Sequence, residues 1–161
     1  MSCDETVVAA QLGRRPRGSW RVASRCPHGN PSVIATAPRL KEGEPFPTTF
    51  WLTCPDMVAA VGALESAGGV AEWASRLAHD PSLARRALEA DEEYRRIRDA
   101  EGGVPGPKDV GTAGQRDPLR TKCLHAHVAA ALAGISDPVG EAVLSGLADG
   151  CADAACGSRR S

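Results

Sequence analysis

Apolar and polar positions change their period near residue 54. Before it, short β-branched and aromatic runs lie between turn residues; after it, apolar residues recur at helical spacing. Residues 20–23, 32–36 and 48–53 therefore read as strands, the last being the strongest. Cys26-Pro27-His28-Gly29-Asn30-Pro31 reads as a tight turn, with Pro27 fixing φ and Gly29 free to take positive φ. Residues 38–47 make a turn-rich connection that pairs 32–36 with 48–53 as antiparallel neighbours. Pro55 at a first helical position and Gly68-Gly69 at a stop bracket a helix over about 55–67. Further helices are expected over about 70–78, 81–99, 121–133 (with Thr121 as its cap) and 138–148. The expected fold is α+β: a small antiparallel sheet of two to three strands packed with four to five helices.

The remaining segments show no such period. Residues 1–19 read as a loosely ordered lead-in, 20–148 as one domain, and 149–161 as a flexible tail. The Gly/Pro-rich interval 102–120 is either a functional loop or a disordered linker. A chain of 161 residues is long enough for a core of its own, built mainly from aliphatic side chains because aromatics make up only 4%.

Charge narrows the class of partner. A net charge of −1 gives no strong nucleic-acid signal. Arg14, Arg15, Arg17, Arg21 and Arg25 crowd the first quarter and read as a solvated arm; acidic residues crowd the helix at 81–99, which leaves a protein partner open. No stretch approaches the roughly 20 apolar residues of a membrane span, and residues 1–10 lack the apolar core of an export signal. The expected compartment is the cytoplasm, where six cysteines read as reduced thiols or metal ligands.

Candidate chemistry lies in three segments: Cys26-x-His28, Cys54, and Cys123-x-His125-x-His127. Cys54 ends the best strand just before a helix. Cys123 and His127, at i and i+4, share one face if both are helical. The expected zinc ligands are Cys26, Cys54, Cys123 and His127, with His28 and His125 as alternates. Arg25, Asn30, Arg39 and Lys122 are candidates for holding an anionic substrate. An enzyme acting on a small anionic substrate stays open beside the metal reading, either by metal-assisted hydrolysis or by thiol chemistry with Cys54 or Cys26 as nucleophile and His28 or His125 as base. So does the plain reading of Cys54 and Cys123 as buried small hydrophobes. Cys3, Cys151 and Cys156 read as exposed thiols near the ends.

Three motifs, Arg25 to Arg39, Pro45 to Pro55 and Lys122-Cys123-Leu124-His125-Ala126-His127, resemble an actinobacterial family: the domain-of-unknown-function family numbered 501. The resemblance spans about residues 9–148. Asp137-Pro138-Val139-Gly140 is similar to that family's Asn-Pro-Val-Gly motif, with Asp for Asn, and residues 109–117 look longer than its usual link. The resemblance implies a bacterial cytosolic protein, often encoded near a cell-division initiator, enolase and an exopolyphosphatase-type enzyme. It implies no activity, so whether the chain is an enzyme stays open.

Overall fold

The computed structural model describes residues 2–147 and 150–161. Met1, Ala148 (the expected end of the last helix) and Asp149 (the expected start of the tail) lie outside the described residues.

Among the described residues the chain forms a three-stranded antiparallel sheet and six α-helices. Strands β1 (Trp20–Arg25), β2 (Pro31–Thr36) and β3 (Phe50–Leu52) lie in sequence order. β2 pairs with β3 through Val33↔Leu52, Ile34↔Trp51 and Ala35↔Phe50, the pairing expected from the sequence. Val33, Ala35, Phe50 and Leu52 join the main core. β2 is buried along its whole length because its other face is covered as well.

That cover is the first correction to the expected layout. Helix α1 (Cys3–Leu12) occupies most of the expected lead-in. The Ser2 hydroxyl accepts from the Glu5 N–H, the Glu5 carboxylate accepts from the Ser2 N–H, and Gly13 ends the helix at φ 69°. Such a capping box satisfies two backbone donors that a helix start otherwise leaves bare. Val8 and Gln11 are buried, and α1 packs on β2. The arginines that follow are no free arm: Arg17, Arg21 and Arg25 pair with Glu44, Glu101 and Asp4.

The other side of the sheet carries α2 (Pro55–Ser66), α3 (Gly69–His79), α4 (Pro81–Ala100), α5 (Leu124–Leu132) and α6 (Pro138–Gly146). Proline at the first position opens α2, α4 and α6, and Asp80 and Asp137 cap the last two by accepting from Leu83 and Gly140 N–H groups. Gly140 also permits close packing, since a Cβ there would stand 2.0 Å from the His127 carbonyl oxygen of α5.

Interval 102–120 is tied down by charges from α4. Asp91 is 4% exposed and accepts from Arg95 Nε at 2.7 Å and from the Thr112 N–H at 2.9 Å. Arg98 is 1% exposed and donates to the Val110 carbonyl; Asp99 accepts from the Gly106 N–H at 2.9 Å. The acidic and basic face of α4 is thus in part a seat for this loop.

Candidate functional site

Among the described residues, cysteines gather with other metal-competent side chains in two places. The first is built from chain ends. Cys26 follows β1 in the Pro27–Gly29 turn, closed by the Cys26 N–H donating to the Asn30 carbonyl and the Gly29 N–H to the Cys26 carbonyl. Cys54 is the N-cap of α2. Cys151 and Cys156 come from the C-terminal segment and are 6% and 0% exposed, against the expectation of exposed thiols.

Sγ atoms of Cys26, Cys151 and Cys156 lie within 4.8 Å of one another, and Cys151 Sγ, Cys54 Sγ and an Asp56 oxygen form a second set within the same limit. The Cys26 to Cys156 separation is 3.8 Å. Cys151 is therefore the member common to both sets. The Asn30 amide donates to Cys156 Sγ at 3.2 Å and to the Ala154 carbonyl at 3.0 Å. Asp56 is already engaged: it accepts two bonds from Arg159, at 2.6 and 2.8 Å, and one from the Ala152 N–H at 3.0 Å. Gln11 reaches the Pro31 and Cys156 carbonyls, and Ser161 donates to the Gln11 carbonyl, so the last residues are laced to α1 and the turn.

These thiols differ electrostatically. Burial opposes ionisation of Cys26, but N–H groups of His28 and Asn30 and the Cys156 thiol stabilise the thiolate, and its pKa falls below the ordinary thiol value. Burial drives Cys151 far upward, and sharing a site with Cys156, Cys54 and Cys26 adds to it; burial and the Cys26 sulfur raise Cys156, against the opposing bonds from Cys151 and Asn30. One negative charge settles readily on the cluster, and further ones need a cation.

The second group is Glu65, Cys123 and His125, again within 4.8 Å of one another. Glu65, near the end of α2, accepts from the Leu124 N–H at 2.7 Å and from His125 Nδ1 at 2.9 Å; His125 Nε2 donates to the Val58 carbonyl at 3.1 Å. Cys123 and His125 border an open hollow of about 280 Å³ that Thr48, Trp51 and Lys122 also line.

Cys26 and Cys54 thus each stand beside Cys151, whereas Cys123 and His127 go elsewhere. The reason is where α5 begins. Cys123, not Thr121, is the N-cap, with extended φ −160° and ψ 126°, so the helical i, i+4 relation to His127 does not hold. His127 is buried, with Nδ1 donating to Asp137 at 2.7 Å and Nε2 without a protein partner. His28 lies at the rim, its Nε2 3.4 Å from the Cys151 carbonyl oxygen. Of the expected anion-binding residues, Arg25 is held by Asp4 and the Gly29 carbonyl, and Arg39 by the Pro105 and Gly43 carbonyls. Asn30 serves the thiol cluster, and Lys122 alone of the four faces the hollow at Cys123.

The His125 environment has a consequence for stability. The Cys123 sulfur raises its pKa most, burial opposes this, and the Val58 carbonyl and Glu65 add to it, bringing it to about 9 from 6.5. A raised histidine stabilises the fold fully below its unfolded value; the contribution is lost as pH climbs through the folded one. Between pH 6.5 and 9, His125→Gln is expected to flatten the stability decline by about 3 kcal/mol at most. Urea unfolding of both proteins across that range checks it, and parallel curves would contradict it.

The model of a family described as "Protein of unknown function (DUF501)" matches residues 22–145. That span holds Cys26, Cys54, Glu65, Cys123 and His125, and stops before Cys151 and Cys156. No curated protein and no solved structure matches the chain. With more than half of its length matched, from β1 to α6, the chain belongs to the DUF501 family.

Proposed function

We propose that this chain is a zinc-binding protein whose ion is held by Cys26, Cys54, Cys151 and Cys156 and fastens the C-terminal segment to the sheet. The observation that carries the reading is Cys151, which lies within 4.8 Å of Cys26 and Cys156 in one group and of Cys54 in the other. Zinc at Zn–S distances of about 2.3 Å sets neighbouring sulfurs about 3.8 Å apart along a tetrahedral edge. The Cys26 to Cys156 spacing of 3.8 Å fits that edge. The four sulfurs are not all within 4.8 Å of one another, so Cys54 closes by a small shift when the ion binds. Asp56 is the weaker fourth ligand because Arg159 occupies both of its oxygens.

Thiolate donors favour zinc among divalent ions of hard and borderline character. N–H bonds to Cys26 and the Asn30 amide on Cys156 supply the outer support that orients thiolate ligands. Four sulfurs fill a tetrahedron and leave no open position, so this ion is structural and not a generator of hydroxide. A reduced thiolate site belongs with a reducing compartment such as the cytoplasm.

Protein purified without a metal-binding tag, under reducing and chelator-free conditions, should carry about one zinc per chain. Less than about a tenth of an equivalent would overturn the reading. Protons provide a second check. Cys151 and Cys156 hold theirs in the metal-free protein, so binding must displace them. Apparent zinc affinity is expected to rise more than about tenfold per pH unit between pH ~6 and ~8. Calorimetry in buffers of different ionisation enthalpy measures the release; an affinity independent of pH would contradict it.

A further inference from the structure

The Glu65–Cys123–His125 group is separate from the proposed zinc ligands, and its geometry suits another task. Cys123 is half-buried, not sealed in the core. Its sulfur lies within 4.8 Å of a His125 ring nitrogen and a Glu65 oxygen. Both ring nitrogens of His125 face acceptors, Glu65 on one side and the Val58 carbonyl on the other. Each therefore carries a proton, and the ring is a cation, neither a base nor a metal ligand. Glu65 is itself committed to His125 and to the first N–H of α5. With that carboxylate balanced by the imidazolium, the exposed Lys122 ammonium leaves the hollow of about 280 Å³ with a net positive character. Trp51 and Phe50 supply apolar wall.

We propose that Cys123 is the nucleophile of a second site, which takes a small electrophile bearing a carboxylate or similar anionic group. The Cys123 sulfur bonds to the electrophilic carbon, the leaving group departs with its bonding pair, and the thiol proton passes to solvent. His125 is a positioning residue that offsets charge developing on sulfur, and Lys122 receives the anionic end. The hollow is near the lower limit of volumes that hold small ligands, which restricts the occupant to a few heavy atoms beyond the reacting carbon.

Competition between two small alkylating reagents of similar size tests this on the full chain. Iodoacetate is anionic and iodoacetamide neutral; each forms a thioether and releases iodide. Cys3, exposed at the start of α1, is the internal reference thiol. Peptide-by-peptide mass analysis reads each cysteine separately, so the result at Cys123 does not depend on whether the other cluster holds zinc. With iodoacetate, Cys123 should react several-fold faster than Cys3, as the net positive charge of the hollow allows. The ratio of iodoacetate to iodoacetamide rates should also be higher at Cys123 than at Cys3. Lys122→Gln should reduce the iodoacetate rate at Cys123 several-fold and leave the iodoacetamide rate unchanged. His125→Gln should slow both reagents at Cys123 with Cys3 unaffected, and unchanged protection of the buried Cys156 shows that the fold persists. If His125→Gln unfolds, the exposed Lys122→Gln decides alone. Cys123 reacting no faster than Cys3, or Lys122→Gln affecting both reagents equally, overturns the proposal.

Discussion

Cys151→Ser is expected to lower bound zinc from about one equivalent to less than about a tenth, and to free the C-terminal residues from the sheet. Cys151 is chosen because it alone belongs to both thiol groups. Serine keeps the size of the side chain but offers a hydroxyl that does not ionise near neutral pH. The remaining thiols are then one short of a tetrahedron. Loss of the ion also removes the link between Cys26 and Cys156, separated by 130 positions along the chain. Closing so long a loop is where a metal clip constrains the unfolded chain most. Amide exchange at residues 150–161 should rise strongly in the variant and in wild type treated with chelator. Cys3→Ser, which alters an exposed thiol on α1, should change neither quantity. Full zinc occupancy in Cys151→Ser would move the ion to another set of residues.

The second large effect concerns the seat of the 102–120 loop. Asp91→Ala should destabilise the protein by about 3 kcal/mol, because it strands a partly buried Arg95 and the buried N–H of Thr112. Asp91→Asn keeps an oxygen for Thr112 but loses both the charge and the acceptor facing Arg95 Nε, so its cost should be smaller than alanine's by the worth of the Thr112 bond, about 1 kcal/mol. Denaturant unfolding with zinc saturating separates the two. Equal costs would mean that the charge, not the bond to Thr112, is what the loop needs; a cost below about 0.5 kcal/mol for alanine would place Asp91 among ordinary surface residues.

Much of the fold was legible because its punctuation is local. Proline at the first turn of α2, α4 and α6 and β-branched residues in β2 are read from neighbouring positions alone. Helix α1 carried the same kind of signal, Ser2-x-x-Glu5 with Gly13 beyond, but the surrounding charges and glycines obscured it. The loop at 102–120 was not legible, because its partners Asp91 and Arg98 belong to another element and their burial depends on the finished packing. At the thiol cluster, the turn at Cys26 and the strand end at Cys54 marked two residues. Cys151 and Cys156 have a spacing that fits neither a knuckle nor a helix face. Their burial depends on Gln11, Asn30 and Asp56, contributed from about 95 or more positions away in sequence, with the neighbouring Arg159 clamping Asp56. Cys123 and His127 look like partners only if α5 starts early enough to include both; starting it at Leu124 sends them to different neighbours.

The central claim is that one zinc ion sits among four cysteine sulfurs drawn from both ends of the chain. X-ray absorption at the zinc edge, on tag-free protein, tests it most directly. The account predicts four sulfur neighbours at about 2.3 Å and no outer-shell scattering from an imidazole ring. A histidine signature, or a first shell of mixed nitrogen and oxygen near about 2.0 Å, would contradict it and return the ion to a set that includes His127, His125 or His28.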